Sequence, residues 1–403
     1  MSRPPLEVAD IFCARGSEYR VAHRGHLSLG QLKVMSAIER CRTSALGGHK
    51  LHCERCDTDT LAYNSCRNRH CPKCQASAAE RWLEARQADL LPIPYFHVVF
   101  TLPDRLRAIA YQNKDTVYDL MFKIASETLL TIAGDERHLG AKIGITAVLH
   151  TWGSSLVHHP HVHCIVTGGG LAPRQGLSHE RWIKCRPNFF LPVKVLGARF
   201  RNRFLQALRA AHEKGELAFF GEQKILGDPG WFAEHLKPLR KIDWIVYAKR
   251  PFAGPEAVLT YLSRYTHRVA ISNRRLVAFD ERGVTFRYKD YRDNGKTRWK
   301  SMTLPPDEFI RRFLQHVLPQ GFHRIRHYGL FANASRNDNL TRARALLKAP
   351  PVTPQTDSKR NAHEGSQENR CPFTCRTCGA PMIVVEILPP QHAPRAPPQR
   401  HAA

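Results

Sequence analysis

The stretch HHPHVHCIVTGGG, residues 158–170, gathers His158, His159, His161 and His163 around one proline and then runs into an apolar, glycine-ended segment. Side chains alternate across a strand, so His161 and His163 share one face while Val162 turns to the other. Such a segment demands a strand with a core behind it and a polar face that can hold an ion in front. Upstream, the apolar run ITAVLH ends at His150, and a strand there can pair with the first and bring a third imidazole to the same side. Three imidazoles leave positions open for water and a phosphate oxygen. They suit Mn, Zn and related ions, whereas Mg leans on water and phosphate oxygens for much of its shell. Any one of these histidines alone is more often a satisfied structural residue, and H-x-H on a strand needs a partner motif.

That partner lies about a hundred residues on, in AGPEAVLTYLSRYTHRVAISNRR. Pro255 suits the first turn of a helix, and Ala257, Val258, Tyr261, Leu262 and Tyr265 then give it an apolar face. Tyr261 and Tyr265 are four residues apart, so their hydroxyls project from one face. Arg264, Arg268, Arg274 and Arg275 surround them, and between Tyr261 and Lys300 there are 11 Lys and Arg against 4 Asp and Glu. Without the histidines the same stretch reads as two core tyrosines beside a solvated basic hairpin.

A second constellation precedes both. Cys53 and Cys56 form one C-x-x-C, and Cys71 and Cys74 form another; paired knuckles of this kind hold zinc tetrahedrally, which predicts one structural zinc on these four thiolates. Cys41, His49, Cys66 and His70 are left over nearby. They either complete a second zinc site or are ordinary polar and packing residues around one ribbon; spacing alone does not decide. Arg67 and Arg69 lie between the ligands and offer a basic surface to DNA. A zinc with four protein ligands has no open position, so this module binds rather than catalyses.

Charge agrees with that partner. Lys and Arg number 61 against 35 Asp and Glu, a formal net charge of +26, which attracts polyanions and makes nucleic acid the leading partner. No apolar run approaches the roughly 18 residues of a membrane span, and the acidic N-terminal stretch is unlike a signal peptide. The expected place is the cytoplasm, with the nucleoid, where the 12 cysteines stay reduced and favour metal over disulfides. No G-x-x-x-x-G-K-[ST] occurs, so no nucleotide cofactor is expected.

The pattern of elements predicts an α+β fold in three parts. Residues 1–92 form a helical and zinc-binding DNA-recognition domain, 93–347 a catalytic domain with alternating strands and helices, and 348–403 a mostly disordered Pro-rich tail with a short cysteine-containing island, CPFTCRTCGAPMIVVEIL.

HPHVH followed by a helix bearing Y-x-x-x-Y resembles the HUH endonuclease superfamily, and YFHVVFTLP is similar to the first motif of its rolling-circle initiators. With SCRNRHCPKCQ, YLSRYTHRVAISNRR and EFIRRFLQHVLPQGFHRIRHYGLF, the chain resembles the two-tyrosine transposases of insertion-sequence family ninety-one. The resemblance implies an HUH palm, a central antiparallel sheet flanked by helices behind a small zinc-ribbon-like domain. It implies Tyr261 and Tyr265 as nucleophiles and His161 and His163 as ligands of a catalytic Mg or Mn, with His150 inferred as the third. It also implies cleavage and rejoining of single-stranded DNA, at hairpin-bearing element ends, through 5′-phosphotyrosine in a rolling-circle mechanism. A plasmid replication initiator would share the nuclease with less need of the zinc module, and a non-catalytic zinc-dependent DNA-binding protein would keep the histidines as structure only.

Overall fold

In the computed structural model, the structure describes residues 5–75, 79, 80, 82, 90–172, 180–249, 257, 258, 270–290, 298–349 and 373–391. Its centre is a six-stranded antiparallel sheet. The strands are β3 (Tyr95–Thr101), β4 (Lys142–Trp152), β5 (His158–Leu171), β6 (Trp182–Lys184), β7 (Val246–Lys249) and β11 (Ile325–Gly329). They run in the order β11-β4-β5-β3-β7, with β6 pairing the end of β5. The histidine-bearing strand β5 is therefore central.

Register explains why the two faces differ. Val162 lies opposite Leu149 and Phe100, and His163 opposite Val148 and Val99. By pleat alternation, Phe96, Val98, Phe100, Ala147, Leu149, Val162, Cys164 and Val166 share one face, and all are buried in the largest core. The helices Lys114–Gly134 and Val193–Glu213 cover that face with residues such as Tyr118, Met121, Phe122, Phe200 and Phe204. The opposite face carries the histidines.

A second core joins the N-terminus to later segments. The helices Val8–Ala22 and Leu29–Arg40, the second started by a Ser28–Gln31 capping box, bury Val8, Phe12 and Met35. These pack in one cluster with Cys41, Cys71 and Cys74, with the sheet of β8 (Leu276–Asp280), β9 (Gly283–Asp290) and β10 (Arg298–Leu304), and with the helix Pro306–Leu314. A third sheet has the order β12-β1-β2, in which β12 (Ile383–Leu388) pairs with β1 (Gly48–Cys53), itself in a hairpin with β2 (Thr58–Tyr63). The cysteine island near the chain's end is thus a strand of the N-terminal zinc module, not a separate element of a tail. Among the described residues no helix is long and apolar enough to cross a membrane.

Candidate metal centres and the transposase family

Four cysteines meet at the base of the β1–β2 hairpin, and they are not the four that sequence spacing pairs. Cys41 caps the helix Leu29–Arg40, and Cys66, Cys71 and Cys74 follow the return of β2. The Cys41–Cys74 and Cys66–Cys74 sulfur distances are both 3.6 Å. Four thiolates about 2.3 Å from one zinc lie about 3.8 Å apart along the edges of the tetrahedron, so this donor set fits the ion.

Cys53 and Cys56 lie at the other end of the same hairpin, in its turn. A six-residue strand separates the two ends by about 20 Å, too far for Cys53, Cys56, Cys71 and Cys74 to share one ion. Instead Cys375 and Cys378, from the island that returns with β12, complete a second four-cysteine cluster with Cys53 and Cys56. Cys53 and Cys378 are again 3.6 Å apart at sulfur. Leu51, Cys53, Cys375 and Met382 form a small core of their own here.

His49 and His70 take no part in either cluster, which corrects the alternative four-residue set. His49, the second residue of β1, sits beside the Phe373 ring, at 6.0 Å. His70 is half-buried, its Nδ1 lies 3.2 Å from Asn68 Oδ1, and its Nε2 accepts from the Leu318 backbone N–H at 3.2 Å. Burial pushes its pKa down to about 3. The third C-x-x-C, TCRTC, was the sequence signal for the true partner of Cys53 and Cys56.

The arginines divide in the same way. Arg67 and Arg274 are exposed. Arg69 donates from Nη2 to the Pro319 carbonyl at 2.7 Å and from Nη1 to that of Phe322 at 2.5 Å. Arg275 donates to the Arg287 carbonyl at 2.8 Å and to that of Ser154. Arg69 and Arg275 therefore tie backbone segments together. Arg264, Arg268, Tyr261 and Tyr265 lie outside the described residues.

On the front face of the central sheet, His150 of β4 stands opposite His161 of β5. The ring nitrogens of His150, His161 and His163 offer ligand atoms within 4.8 Å of one another. Trp152 stacks on His150 at 4.7 Å, and His150 and His163 are buried. His161 Nδ1 lies 2.7 Å from the His159 carbonyl oxygen, which fixes the proton on Nδ1 and the lone pair on Nε2. His163 Nδ1 lies 2.8 Å from Nε2 of His97, whose ring is nearly parallel to it with centroids 5.0 Å apart. Two of the three imidazoles thus have Nδ1 engaged, and the three rings bring ligand atoms together in a donor set that fits a divalent ion. His158 is different. It is buried, its Nε2 is 2.7 Å from the Tyr118 hydroxyl, and burial holds its pKa down to about 2. His159 is 3.9 Å from Asp104.

A sheet with an imidazole cluster on its central strands, built onto a module with two four-cysteine clusters, defines a protein with candidate metal centres in both parts, and comparison with known proteins gives the family. Residues 144–339 match the family described as "Putative transposase", and residues 11–102 match the "Transposase zinc-binding domain". The chain is 52% identical to "Putative transposase y4qJ" of Sinorhizobium fredii (strain NBRC 101917 / NGR234), over 96% of its own length and 97% of the relative's. It is 28% identical to "Transposase for insertion sequence element IS801" of Pseudomonas savastanoi pv. phaseolicola, over 95% and 90%. No solved structure is significantly similar. The chain belongs to the transposases of insertion-sequence family ninety-one, with their N-terminal zinc-binding domain.

Proposed function

We propose that the chain is an HUH single-strand DNA nuclease and strand transferase that mobilises an insertion sequence by a rolling-circle route. The observation that carries this reading is the convergence of His150, His161 and His163 on adjacent central strands, with the lone pair of His161 placed on Nε2. A divalent ion such as Mg or Mn held there would polarise a scissile phosphate. The chain's own residues do the rest. The His159 carbonyl fixes the tautomer of His161, and His97 holds the ring of His163, so the donor atoms stay aimed without a search through ring orientations. The apolar stack of Trp152 on His150 excludes water from one side of the cluster. Tyr261 and Tyr265 supply the nucleophile: a phenol oxygen forms a bond to phosphorus, the 3′ oxygen leaves as a hydroxyl, and a 5′-phosphotyrosine remains. Val258, three residues before Tyr261, is buried in one cluster with Tyr95 and Ile165, which by strand alternation lie on the histidine face. That contact supports delivery of the tyrosines to that face. The formal charge of +26 supports DNA as the substrate.

The test uses the full-length chain, labelled single-stranded oligonucleotides from the element's ends, and Mn. A covalent protein–DNA adduct is expected from the parent and, on short substrates, from Tyr261→Phe and Tyr265→Phe taken singly. The double variant should form none. Each single variant should block complete transposition, because the first tyrosine holds one strand while the second attacks the next phosphate. Normal transposition by either single variant would defeat the two-nucleophile mechanism, and an adduct from the double variant would remove both residues from the site.

A further inference from the structure

The outer face of the sheet β8-β9-β10 has a composition that the transposase reading leaves unexplained. Its inner face, with Val284, Phe286 and Leu304, is buried in the second core. On the outer face, strand alternation places Arg287 and Lys289 of β9 and Trp299 and Ser301 of β10, with Thr285 and Thr303 beyond them. Lys289 and Trp299 are direct cross-strand partners, and the Lys289 ammonium lies 5.1 Å from the centre of the Trp299 ring. Trp299 is 56% exposed, although it is among the largest apolar side chains of the protein. Among the described residues of these strands, the acid on that face is Asp280, at the distant β8–β9 turn beside Arg282.

The basic, aromatic end of this sheet abuts the β4–β5 turn. The Lys289 backbone N–H donates to Ser154 Oγ at 2.6 Å, and Arg275 bonds the Ser154 carbonyl. Ser154 is four residues from His150, so their Cα atoms are at most about 14 Å apart. That span corresponds to a few nucleotides.

We infer that this face is a platform for single-stranded DNA, on which a base stacks against Trp299 while Arg287 and Lys289 hold the flanking phosphates and lead the strand toward the histidine cluster. A π-face accepts any base, and cationic side chains on either side track the backbone, which is how sequence-tolerant single-strand surfaces are made. A duplex hides its base faces within the stack, so the platform selects for single strands. The inference rests on DNA being the substrate, as proposed above, yet it concerns binding rather than cleavage.

The experiment measures anisotropy of a fluorescein-labelled single-stranded 20-nucleotide oligonucleotide, and of a duplex of that length, with the zinc-loaded full chain and no added Mg or Mn. Trp299→Ala should weaken single-strand binding about tenfold or more, and Trp299→Phe should retain most of the affinity. Duplex binding should change by less than about twofold, because stacking is not available there. Arg287→Ala with Lys289→Ala should reduce the slope of log affinity against log salt by about 1.4, the value for two lost single-strand phosphate contacts. Parent-like single-strand affinity in Trp299→Ala would overturn the inference, as would equal losses on single strand and duplex. So would unchanged DNA binding joined with altered self-association in sedimentation, which would mark the face as a protein contact. Zinc content and melting temperature, unchanged in all variants, keep misfolding apart from these outcomes. A chain that binds through Trp299 but forms no phosphotyrosine adduct would sustain this inference and defeat the nuclease.

Discussion

His97 determines how His163 presents itself. The two rings lie nearly parallel, and their facing nitrogens are 2.8 Å apart, so one proton is shared between two buried imidazoles. Burial pushes the His97 pKa down to about 3, with Lys249 and His161 adding to the effect, so the ring is neutral at ordinary pH. With the proton on His163 Nδ1, His97 accepts it and the His163 lone pair sits on Nε2; losing His97 lets the ring rotate or exchange tautomers. Partners that orient a ligand in this way typically contribute about 10–100-fold in metal affinity or activity. His97→Ala is therefore expected to weaken Mn binding, read by electron paramagnetic resonance, about tenfold or more, and to lower the cleavage rate while leaving KM for the oligonucleotide nearly constant. His97→Gln, whose side-chain oxygen can accept the same proton, should recover part of both. Equal Mn affinity in parent and His97→Ala would show that His163 needs no such support. His97 stands in plain sight in YFHVVFT, but its meaning depends on a register that sets Val99 opposite His163 and His97 one diagonal step away. Alternation along one strand reveals which residues share a face; it does not reveal which residue of another strand arrives beside them.

The segment 315–324, within the motif EFIRRFLQHVLPQGFHRIRHYGLF, acts as a unit that joins three parts of the molecule. Lys114 of the long covering helix donates to the Gln315 and Val317 carbonyls at 2.7 and 2.9 Å, and Arg69 and His70 of the zinc module bond the stretch from Leu318 to Phe322. His316 lies wholly inside, 3.2 Å from Thr151 Oγ1 and 3.1 Å from the Leu156 carbonyl, at either end of the β4–β5 turn. Its ring stacks at 6.3 Å with that of His158. Burial pushes His316 down to about 3 and His158 to about 2, against an ordinary value of 6.5. Both are neutral in the fold and gain a proton more readily when the chain unfolds. Their contribution to stability is therefore complete above pH 6.5 and is lost as pH falls from there toward the folded-state values. The melting temperature should fall steeply between pH 6.5 and pH 4.5, and the fall should be shallower in His316→Gln, which is less stable at neutral pH but has one fewer group to titrate. A parallel pH dependence in parent and variant would assign acid sensitivity elsewhere. The strands of this region were legible from alternation and apolar runs, including β3, β4, β5 and the β8–β9 hairpin. What the segment bonds to was not, because these partners lie between 160 and 253 residues away in sequence and are met only after the sheet has formed.

At the scale of the molecule, the two four-cysteine clusters bring together segments far apart in the chain. Two C-x-x-C motifs close together in sequence suggest one ribbon, but a hairpin of two six-residue strands holds them apart, and each finds other partners. The cluster of Cys41, Cys66, Cys71 and Cys74 is embedded in the core that unites the N-terminal helices with β8, β9 and β10. The outer cluster draws Cys375 and Cys378 to Cys53 and Cys56 across most of the chain and lays β12 along β1. Closing a loop of that length costs only slowly more entropy than closing a short one, and a zinc bound by four thiolates repays it through binding energy expressed as folding. β12 itself buries little: Ile383, Val384, Val385 and Ile387 are all exposed. Its position therefore depends on the ion and on its ladder to β1 rather than on an apolar core. Cys375→Ser with Cys378→Ser should accordingly reduce zinc from two equivalents to one by elemental analysis, release β12 to fast amide exchange, and leave the central sheet protected. Cys74→Ser should instead remove the inner ion from a shared core, lowering the melting temperature of the entire chain and exposing Val8, Phe12 and Phe286 to solvent probes. The two variants thus separate a clasp at the edge from a staple at the centre. Retention of both zinc equivalents after loss of Cys375 and Cys378 would return Cys53 and Cys56 to partners nearer in sequence.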